Sequence, residues 1–396
     1  MVEKVKIGNY VKQIRGVSYK PNDLHNDLNS DSVILLRANN INEGKINFDD
    51  IVYVDKSKVK EEQYLKKGDI LVCASSGSKE LVGKAAFINK DYTATFGAFC
   101  KLIRPKNCIS EYLGHYFNSQ IYRERISSLA LGANINNIRN EHIDELRIYI
   151  PNKSEQQSIS MLLNQVVDLI NNRKKQLEKL DELVKARFVE MFGDPVKNSM
   201  RWKTAPLKNV TSKIGSGATP KGGKESYQTE GITLIRSMNV HDGRFEYKDL
   251  AHITEEQAEQ LNNVIIEEND VFINITGASV ARSCVVPKHI LPARVNQHVA
   301  IIRCITSTLN PIFANNMFLN KSFKRKLLDI GETGGATRQA ITKQQLESLT
   351  VILPPIELQE QFATFVEQTD KSKLEVQKSL EKLELLKKAL MQKYFR

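Results

Sequence analysis

The chain has 396 residues, of which 41% are hydrophobic, and its 57 Lys and Arg residues exceed its 46 Asp and Glu residues, giving a formal net charge of +11. No apolar run approaches the roughly 18 residues that a membrane-spanning helix needs, which argues against an integral membrane protein. The opening residues MVEKVKIGNY lack the apolar centre of a signal peptide, so we expect a cytoplasmic protein.

The positive charge is concentrated in two segments. Residues 1–154 hold 23 basic and 18 acidic side chains, and residues 193–357 hold 20 and 16. The segments between and after them are closer to balance, with six of each at 155–192 and eight against six at 358–396. Such an excess is compatible with phosphate contacts and with steering toward DNA, although a role in solubility alone would explain it too.

Residues 1–154 have the pattern of a mixed α/β domain. Short runs rich in branched residues, such as SVILLRA, DIVYV, DILVCA and FCKLIRP, predict strands, and NEGK and SSGS between them predict turns. The stretch SEYLGHYFNSQIYRERISSLA predicts helical structure near the end of the domain. Residues 193–357 read in the same way as a second mixed α/β domain, and strand order does not follow from either pattern.

A long helix is predicted after each domain, at 155–192 and at 358–396. Neither segment contains Pro or Gly, and apolar residues recur every seven positions, as in a coiled-coil seam. The predicted seam residues are Leu163, Ile170, Leu177, Val184, Val376, Leu383 and Leu390. Each helix would be roughly 55 Å long, too long to pack on one small domain. We therefore expect the helices to pack on each other as an antiparallel coiled coil; the alternative is that each packs on its own domain.

The chain contains an internal repeat at an offset of about 200 residues. The corresponding segments are LEKLDELVKARF (177–188) with LEKLELLKKALM (380–391), LLRANNINEG (35–44) with LIRSMNVHDG (234–243), KKGDILVCASSGS (66–78) with EENDVFINITGAS (267–279), FCKLIRP (99–105) with VAIIRCI (299–305), and IGNYVKQIRG (7–16) with LKNVTSKIGS (207–216). The sequence thus predicts an α+β protein with two copies of one unit related by a pseudo-two-fold axis, each a globular part followed by a long helix.

Motifs of catalysis and of metal or cofactor binding do not emerge from the sequence. GSGATPKGGKES (215–226) resembles a phosphate loop, but five residues separate Gly217 from Gly223, and Glu225 takes the position of the hydroxyl that holds magnesium. LPPI (353–356) lacks the flanking residues of an adenine methyltransferase motif. The five cysteines form no CxxC pair and have no histidine at zinc spacing, which predicts reduced, buried thiols. We therefore predict a non-catalytic chain without a metal.

Each globular segment leads through a proline into a helix that carries glutamine, with the motifs YIPNKSEQQSIS and ILPPIELQEQFA. This arrangement resembles the specificity (S) subunit of type I restriction-modification systems. The resemblance covers essentially the whole chain, including its repeat. It implies target recognition domains at 1–154 and 193–357, each reading one half of a bipartite, asymmetric DNA sequence. It also implies conserved spacer helices at 155–192 and 358–396, which set the gap between the half-sites.

The same resemblance implies the partners of the chain. They would be double-stranded DNA, two methyltransferase (modification) subunits that methylate adenines, and a nuclease-translocase (restriction) subunit. S-adenosylmethionine, ATP and magnesium would then belong to those partners. An assembly scaffold that joins subunits without reading DNA is the alternative, and the divergence of polar turns on one repeated frame argues against it.

Polar turn residues are the candidates for DNA contact, because Arg favours guanine, Asn and Gln favour adenine, and Ser and Thr commonly hold phosphates. Most lie at repeat-equivalent positions, whereas Arg282, Asn296 and Gln297 are included as divergent positions that would carry specificity. In the first domain they are Arg37, Asn39, Asn40, Ser75, Ser76, Ser78, Asn134, Asn136, Asn137 and Arg139. In the second domain they are Arg236, Asn239, Thr276, Ser279, Arg282, Asn296, Gln297, Thr337, Arg338 and Gln339. For any one of them, a plain turn or capping role fits equally well.

Overall fold

The computed structural model describes residues 4–78, 80–129, 136–220, 222–332 and 339–396. The chain divides into two compact units, Met1–Lys174 with Lys378–Arg396, and Lys175–Gln377. The long helices are Lys153–Phe192 and Ile356–Phe395. Each unit therefore contains one globular part together with the beginning of one long helix and the end of the other.

Two four-stranded sheets form the globular part of the first unit. One is antiparallel, in the order Ala85–Phe87, Ile70–Cys73, Cys100–Pro105 and Val11–Arg15. In the other, Ala94–Phe96 runs parallel to Ser32–Leu36, which pairs antiparallel with Val52–Asp55, and Leu24–His25 follows. Successive side chains point to opposite faces of a strand, so Ile70 and Val72 join one apolar core while Leu71 and Cys73 join another.

The second unit repeats this arrangement. Its antiparallel sheet has the order Thr211–Ser216, Val299–Cys304, Val271–Asn274 and Ser283–Val285. A second sheet places Ala293–Val295 parallel to Ile232–Ile235, which pairs antiparallel with Ala251–Ile253. Here Val271 and Ile273 face one core, and Phe272 faces the other. The predicted repeat of mixed α and β domains is confirmed, and the strands that both copies share are in the same order. The strand Leu24–His25 has only a single bridge, Gln228 with His252, as its counterpart in the second unit.

Shorter elements complete the two units. Short strand pairs are Val5–Lys6 with Arg147–Ile148, Ile41–Asn42 with Lys45–Ile46, Ser75–Ser76 with Asn136–Asn137, Lys203–Pro206 with Thr350–Leu353, and Val240–His241 with Arg244–Phe245. The short helices are Ser110–Phe117, Gln120–Leu129, Asn140–Asp144, Glu255–Glu259, Pro311–Leu319, Lys321–Glu332 and Lys343–Ser348. The helical stretch predicted from residue 110 divides in two because Ser119 Oγ accepts the N–H of Tyr122 (3.1 Å) as an N-cap.

One inserted residue distinguishes the first strand of the second copy from its twin. The pairing register shifts between Thr211 and Lys213, whereas Val11–Arg15 is regular. This bulge corrects the alignment read from the sequence: Gly16 corresponds to Gly217 and not to Ser216. Both glycines lie against backbone, since an added Cβ would be 2.1 Å from the nearest carbonyl oxygen at Gly16 and 1.8 Å at Gly217.

The two long helices contact each other in antiparallel orientation within each unit. In the first unit Leu163 and Met391 belong to one core, and Arg173 Nε donates to Ser379 Oγ (3.2 Å). Moving from residue 163 to residue 173 along the first helix, the contacting residue of the second helix moves back from 391 to 379, so the two helices run in opposite directions. In the second unit the trend is the same: Asp181 pairs with Lys373 (2.7 Å), and the rings of Phe188 and Phe362 are 5.5 Å apart.

These contacts confirm the predicted association of the helices. The start of each helix also packs on its own globular part, since Leu163 belongs to the core of the first unit and Phe362 to a core of the second. Of the predicted seam residues, Leu163, Ile170, Val184 and Val376 are buried, whereas Leu177, Leu383 and Leu390 are half-buried. Within the described ranges, no helix is both long and apolar enough to cross a membrane.

A buried glutamine anchors the start of each long helix to its globular part. Gln156 Nε2 donates to the carbonyl of Pro151 (2.7 Å), and its Oε1 accepts the N–H of Ile109 (2.8 Å). Gln359 repeats this arrangement, donating to the carbonyl of Pro354 at 2.8 Å. The amide side chain supplies both a donor and an acceptor, and both are needed here. This explains physically the proline and glutamine pattern that occurs twice in the sequence.

Candidate nucleic-acid interface

The predicted polar turns of the first unit converge at one edge of the sheets, where strands end. The N–H of Gly97 donates to the carbonyl of Leu36 (2.9 Å), which places Arg37 beside the turn at 97–100. Arg37 therefore lies next to a segment that begins 60 residues further along the chain.

Hydrogen bonds join the same turn to the loop at 75–78, called here the serine loop, and to the residues that follow the strand Asn136–Asn137. The N–H groups of Ala74 and Ser75 donate to the carbonyl of Phe99 (2.9 and 3.0 Å), and the N–H of Ile138 donates to the carbonyl of Ala74 (2.7 Å). We define the first rim as the exposed and half-buried residues at this edge: Arg37, Asn39, Ser75, Ser76, Ser78, Phe99, Asn137 and Arg139.

The second unit has the same backbone frame. The N–H of Ile275 donates to the carbonyl of His298 (3.0 Å), the N–H of Ile341 to the carbonyl of Ile275 (2.8 Å), and the N–H of Asn296 to the carbonyl of Ile235 (3.0 Å). We define the second rim as Arg236, Thr276, Ser279, Arg282, Gln297, His298 and Gln339, which are exposed or half-buried.

Three of the predicted asparagines are not at the surface of either rim. Asn40 and Asn239 have no exposed surface, and Asn296 is 4% exposed. Asn40 Oδ1 accepts the N–H of Arg37 (2.8 Å), and Asn239 Oδ1 accepts the N–H of Arg236 (3.1 Å). These side chains close turns by bonding to backbone, so the turn role that the sequence left open accounts for them.

One arginine of each rim, Arg37 in the first and its counterpart Arg236 in the second, already contacts another side chain of the protein. In the first unit Arg37 Nη2 and Asn39 Nδ2 lie 2.9 and 2.6 Å from Asp50 Oδ2. Asp50 is largely exposed, so its attraction for the guanidinium is weakened by water, and a phosphate could take its place. In the second unit the guanidinium of Arg236 lies over the ring of Tyr227, 5.4 Å from its centroid.

The two rims differ most in the turn that follows the parallel strand. In the second rim His298 Nδ1 lies 2.5 Å from Thr276 Oγ1, and Gln297 Oε1 accepts the hydroxyl of Thr219. The first rim has Phe99 where the second has His298. Phe99 was not predicted, because FCKLIRP read as strand from its first residue. The sequence alignment of 99–105 with 299–305 pairs Phe99 with Val299, and the structure corrects it by one residue. Cys100 pairs with Cys73 as Val299 pairs with Asn274, so Phe99 corresponds to His298.

Several predicted contacts cannot be placed on the rims. Asn134, Thr337 and Arg338 lie outside the described residues, and Asn136 contributes backbone pairing opposite Ser76. DNA contact by these residues stays a prediction, as it does for the residues on the rims.

Burial accounts for the chemistry of the cysteines. All five are free, and only Cys108 is not fully buried. Burial raises the pKa of Cys73 to about 11 and the pKa values of Cys284 and Cys304 to about 12, because the thiolate loses its hydration. Among the described residues, no three His, Cys, Asp or Glu side chains are grouped as a metal site requires.

Comparison with known proteins identifies the family. The model of the type I restriction modification DNA specificity domain matches residues 2–180 and again residues 200–385. The EcoKI specificity subunit of Escherichia coli (strain K12) is 28% identical, covering 97% of this chain and 86% of the relative. The StySPI specificity subunit of Salmonella potsdam is 29% identical over the same shares.

Solved structures agree on the fold. The S subunit of a type I restriction-modification system from M. genitalium has a TM-score of 0.57 at 16% identity, covering 100% of this chain and 96% of that one. A chain from a study of complex assembly and conformational transition in the type I R-M system has a TM-score of 0.59 at 17% identity, covering 100% and 97%. The chain therefore belongs to the type I restriction modification DNA specificity domain family, and it is a non-catalytic specificity subunit that recognises DNA target sequences while catalysis and its cofactors reside on partner subunits.

Proposed function

We propose that the two rims read the two halves of a bipartite, asymmetric sequence in double-stranded DNA. The observation that carries this proposal is that one backbone frame, built twice, displays different side chains in its two copies. A shared frame would hold both readers in the same way against the groove. The divergent side chains would give each reader its own sequence preference, since base edges are distinguished by their donors, acceptors and methyl groups.

Arg139 is the arginine best placed to read a base in the first rim, because it is exposed and lies two residues after the paired strand Asn136–Asn137. Arg139→Ala should relax specificity in one half-site and leave the other intact. Lys106→Ala is a matched control. Lys106 is an exposed cation that follows the strand Cys100–Pro105, at the end of that strand away from the rim. Equal loss at both half-sites would contradict a role in reading one of them.

The long helices would set the gap between the half-sites. Each has 40 residues, which corresponds to about 60 Å of helix. Inserting seven residues into each helix, within 165–180 and within 368–383, preserves the apolar seam and adds about 10 Å. The non-specific gap should then lengthen by about three base pairs, at about 3.4 Å per pair, with both half-sites unchanged. An unchanged gap would exclude the helices as the spacer.

Apolar side chains exposed on the helices would dock the two methyltransferase subunits. In the first unit Met161 is 57% exposed and Leu385 is 67% exposed. In the second unit Leu374 is 54% exposed. Exposed apolar groups on a long helix favour a partner that covers them. We expect the assembled complex to act in the cytoplasm and to cleave DNA when a nuclease-translocase subunit joins it.

The decisive experiment is single-molecule sequencing of DNA from a host that expresses the methyltransferase subunit with and without this chain. Methylated adenine in one gapped, asymmetric motif that appears only with the chain would support the proposal. Exchanging residues 1–154 for those of a relative should then alter one half-site. Methylation that is unchanged by removing the chain would favour the scaffold alternative.

A further inference from the structure

One side chain of the first rim differs from its neighbours because it is apolar. Phe99 is 68% exposed, the highest value among the large apolar side chains that the structure describes. Single exposed apolar residues are common on protein surfaces, so exposure by itself does not indicate function. The backbone around Phe99 and the corresponding position in the second unit supply independent evidence.

The backbone holds Phe99 in a fixed position. Its carbonyl accepts the N–H groups of Ala74 and Ser75 at 2.9 and 3.0 Å, and the N–H of Cys100 donates to the carbonyl of Gly97 (2.9 Å) to close the turn. The exposed ring therefore starts from an ordered turn beside the serine loop. A ring presented in this way loses little backbone freedom when it meets a ligand.

The corresponding position in the second unit carries a ring of different chemistry. The carbonyl of His298 accepts the N–H of Ile275 (3.0 Å), as that of Phe99 accepts the N–H of Ala74. An imidazole is a polar ring with a donor and an acceptor nitrogen, and here Nδ1 lies 2.5 Å from Thr276 Oγ1 and Nε2 lies 3.3 Å from Gln297 Nε2. A phenyl ring offers apolar surface. The two rims thus present different chemistry from one shared position.

We propose that Phe99 is a specificity-determining residue that recognises thymine in the first half-site by contacting its C5-methyl group. This inference rests on the proposed function, because it requires that the first rim lies in the major groove. The thymine methyl is the apolar group that distinguishes one base from the others there, and aromatic side chains pack against it. Ser75 and Ser78 beside the ring would bond to phosphates and hold the register.

Replacement of thymine by deoxyuridine tests the contact, because it removes the methyl group alone. The chain is assembled with its methyltransferase subunits, and binding is measured to duplexes of the mapped motif in which each thymine is replaced in turn. We expect one replacement in the first half-site to weaken binding of the native complex by about three- to fivefold, the value of burying one methyl group. Phe99→Ala should weaken binding to the native duplex and abolish that penalty, with the second half-site read as before.

Leu28→Ala is the matched control. Leu28 is 59% exposed, and it precedes the strand Ser32–Leu36 at the end opposite the rim. The Leu28→Ala complex should keep the full deoxyuridine penalty. A penalty that persists in Phe99→Ala, or a first half-site that contains no thymine, would overturn the assignment. Native complex that binds the motif no better than scrambled DNA would instead refute the proposed function, and the assignment with it.

Discussion

The anchoring glutamine of the first unit gives the sharpest test of how the globular part is joined to its helix. Gln156→Ala removes the donor to Pro151 and the acceptor for Ile109, so that two main-chain groups lose their partners at once. Gln156 itself is only 2% exposed, so water cannot readily replace it. Leaving a buried polar group unpaired costs about 1–3 kcal/mol, so we expect a loss of about 2–5 kcal/mol in the free energy of unfolding of the first unit.

For a unit of about 190 residues, each kcal/mol corresponds to roughly 2–4 °C in Tm, so a fall of about 5–15 °C is expected. Because the two units can unfold separately, thermal unfolding should be paired with hydrogen exchange measured residue by residue. Protection should fall around Ile109 and the start of the first long helix, and the second unit should be unaffected.

Gln157→Ala is the control, because Gln157 is the next residue on the same helix and is exposed. It should change the free energy of unfolding by no more than about 0.5 kcal/mol. Equal effects of the two substitutions would refute the reasoning, since Gln156 forms buried hydrogen bonds with Pro151, Ile109 and Cys108, whereas the side chain of Gln157 is exposed. Gln359→Ala should reproduce the loss in the second unit.

Three further predictions concern the framework. Gly217→Ala should lower the free energy of unfolding by about 2–3 kcal/mol, because its Cβ would lie 1.8 Å from a backbone oxygen. Gly215→Ala is the control and should be nearly neutral, because its Cβ would meet nothing within 4 Å. Equal effects of the two substitutions would contradict this. Asp270→Ala should lower the free energy of unfolding by about 3 kcal/mol, because it removes the carboxylate that Arg303 contacts twice at 2.8 Å. The double change Asp270→Leu with Arg303→Met should cost less, because it leaves no buried charge without a partner. A double variant as unstable as the single one would be evidence against the argument. The native protein at pH 8 should react slowly with a thiol reagent, because the thiolate is the reactive form and burial raises the pKa of Cys284 to about 12. Rapid labelling of several cysteines without denaturant would contradict this prediction.

The sequence by itself determined the features that depend on spacing along the chain. The apolar seam of the helices, the offset of about 200 residues and the recurrence of proline with glutamine are all visible without coordinates. They predicted the repeated α+β architecture and the helix contact, because a seven-residue apolar period is typical of a helix that packs along another helix. They also indicated the family, which the comparisons confirmed.

The tertiary structure alone decided which of the polar turns meet. Ile138 bonds to Ala74 across more than 60 residues, and no local pattern specifies that pairing. Burial separated Asn40, which closes a turn, from the exposed Asn39 beside it, although the two are identical in the sequence. Strand order, the bulge that moves Gly217 into register and the exposure of Phe99 likewise depend on hydrogen bonds and packing between distant segments. Spacing along a chain determines which side of a helix or strand is apolar, but contacts between distant segments determine what that side faces.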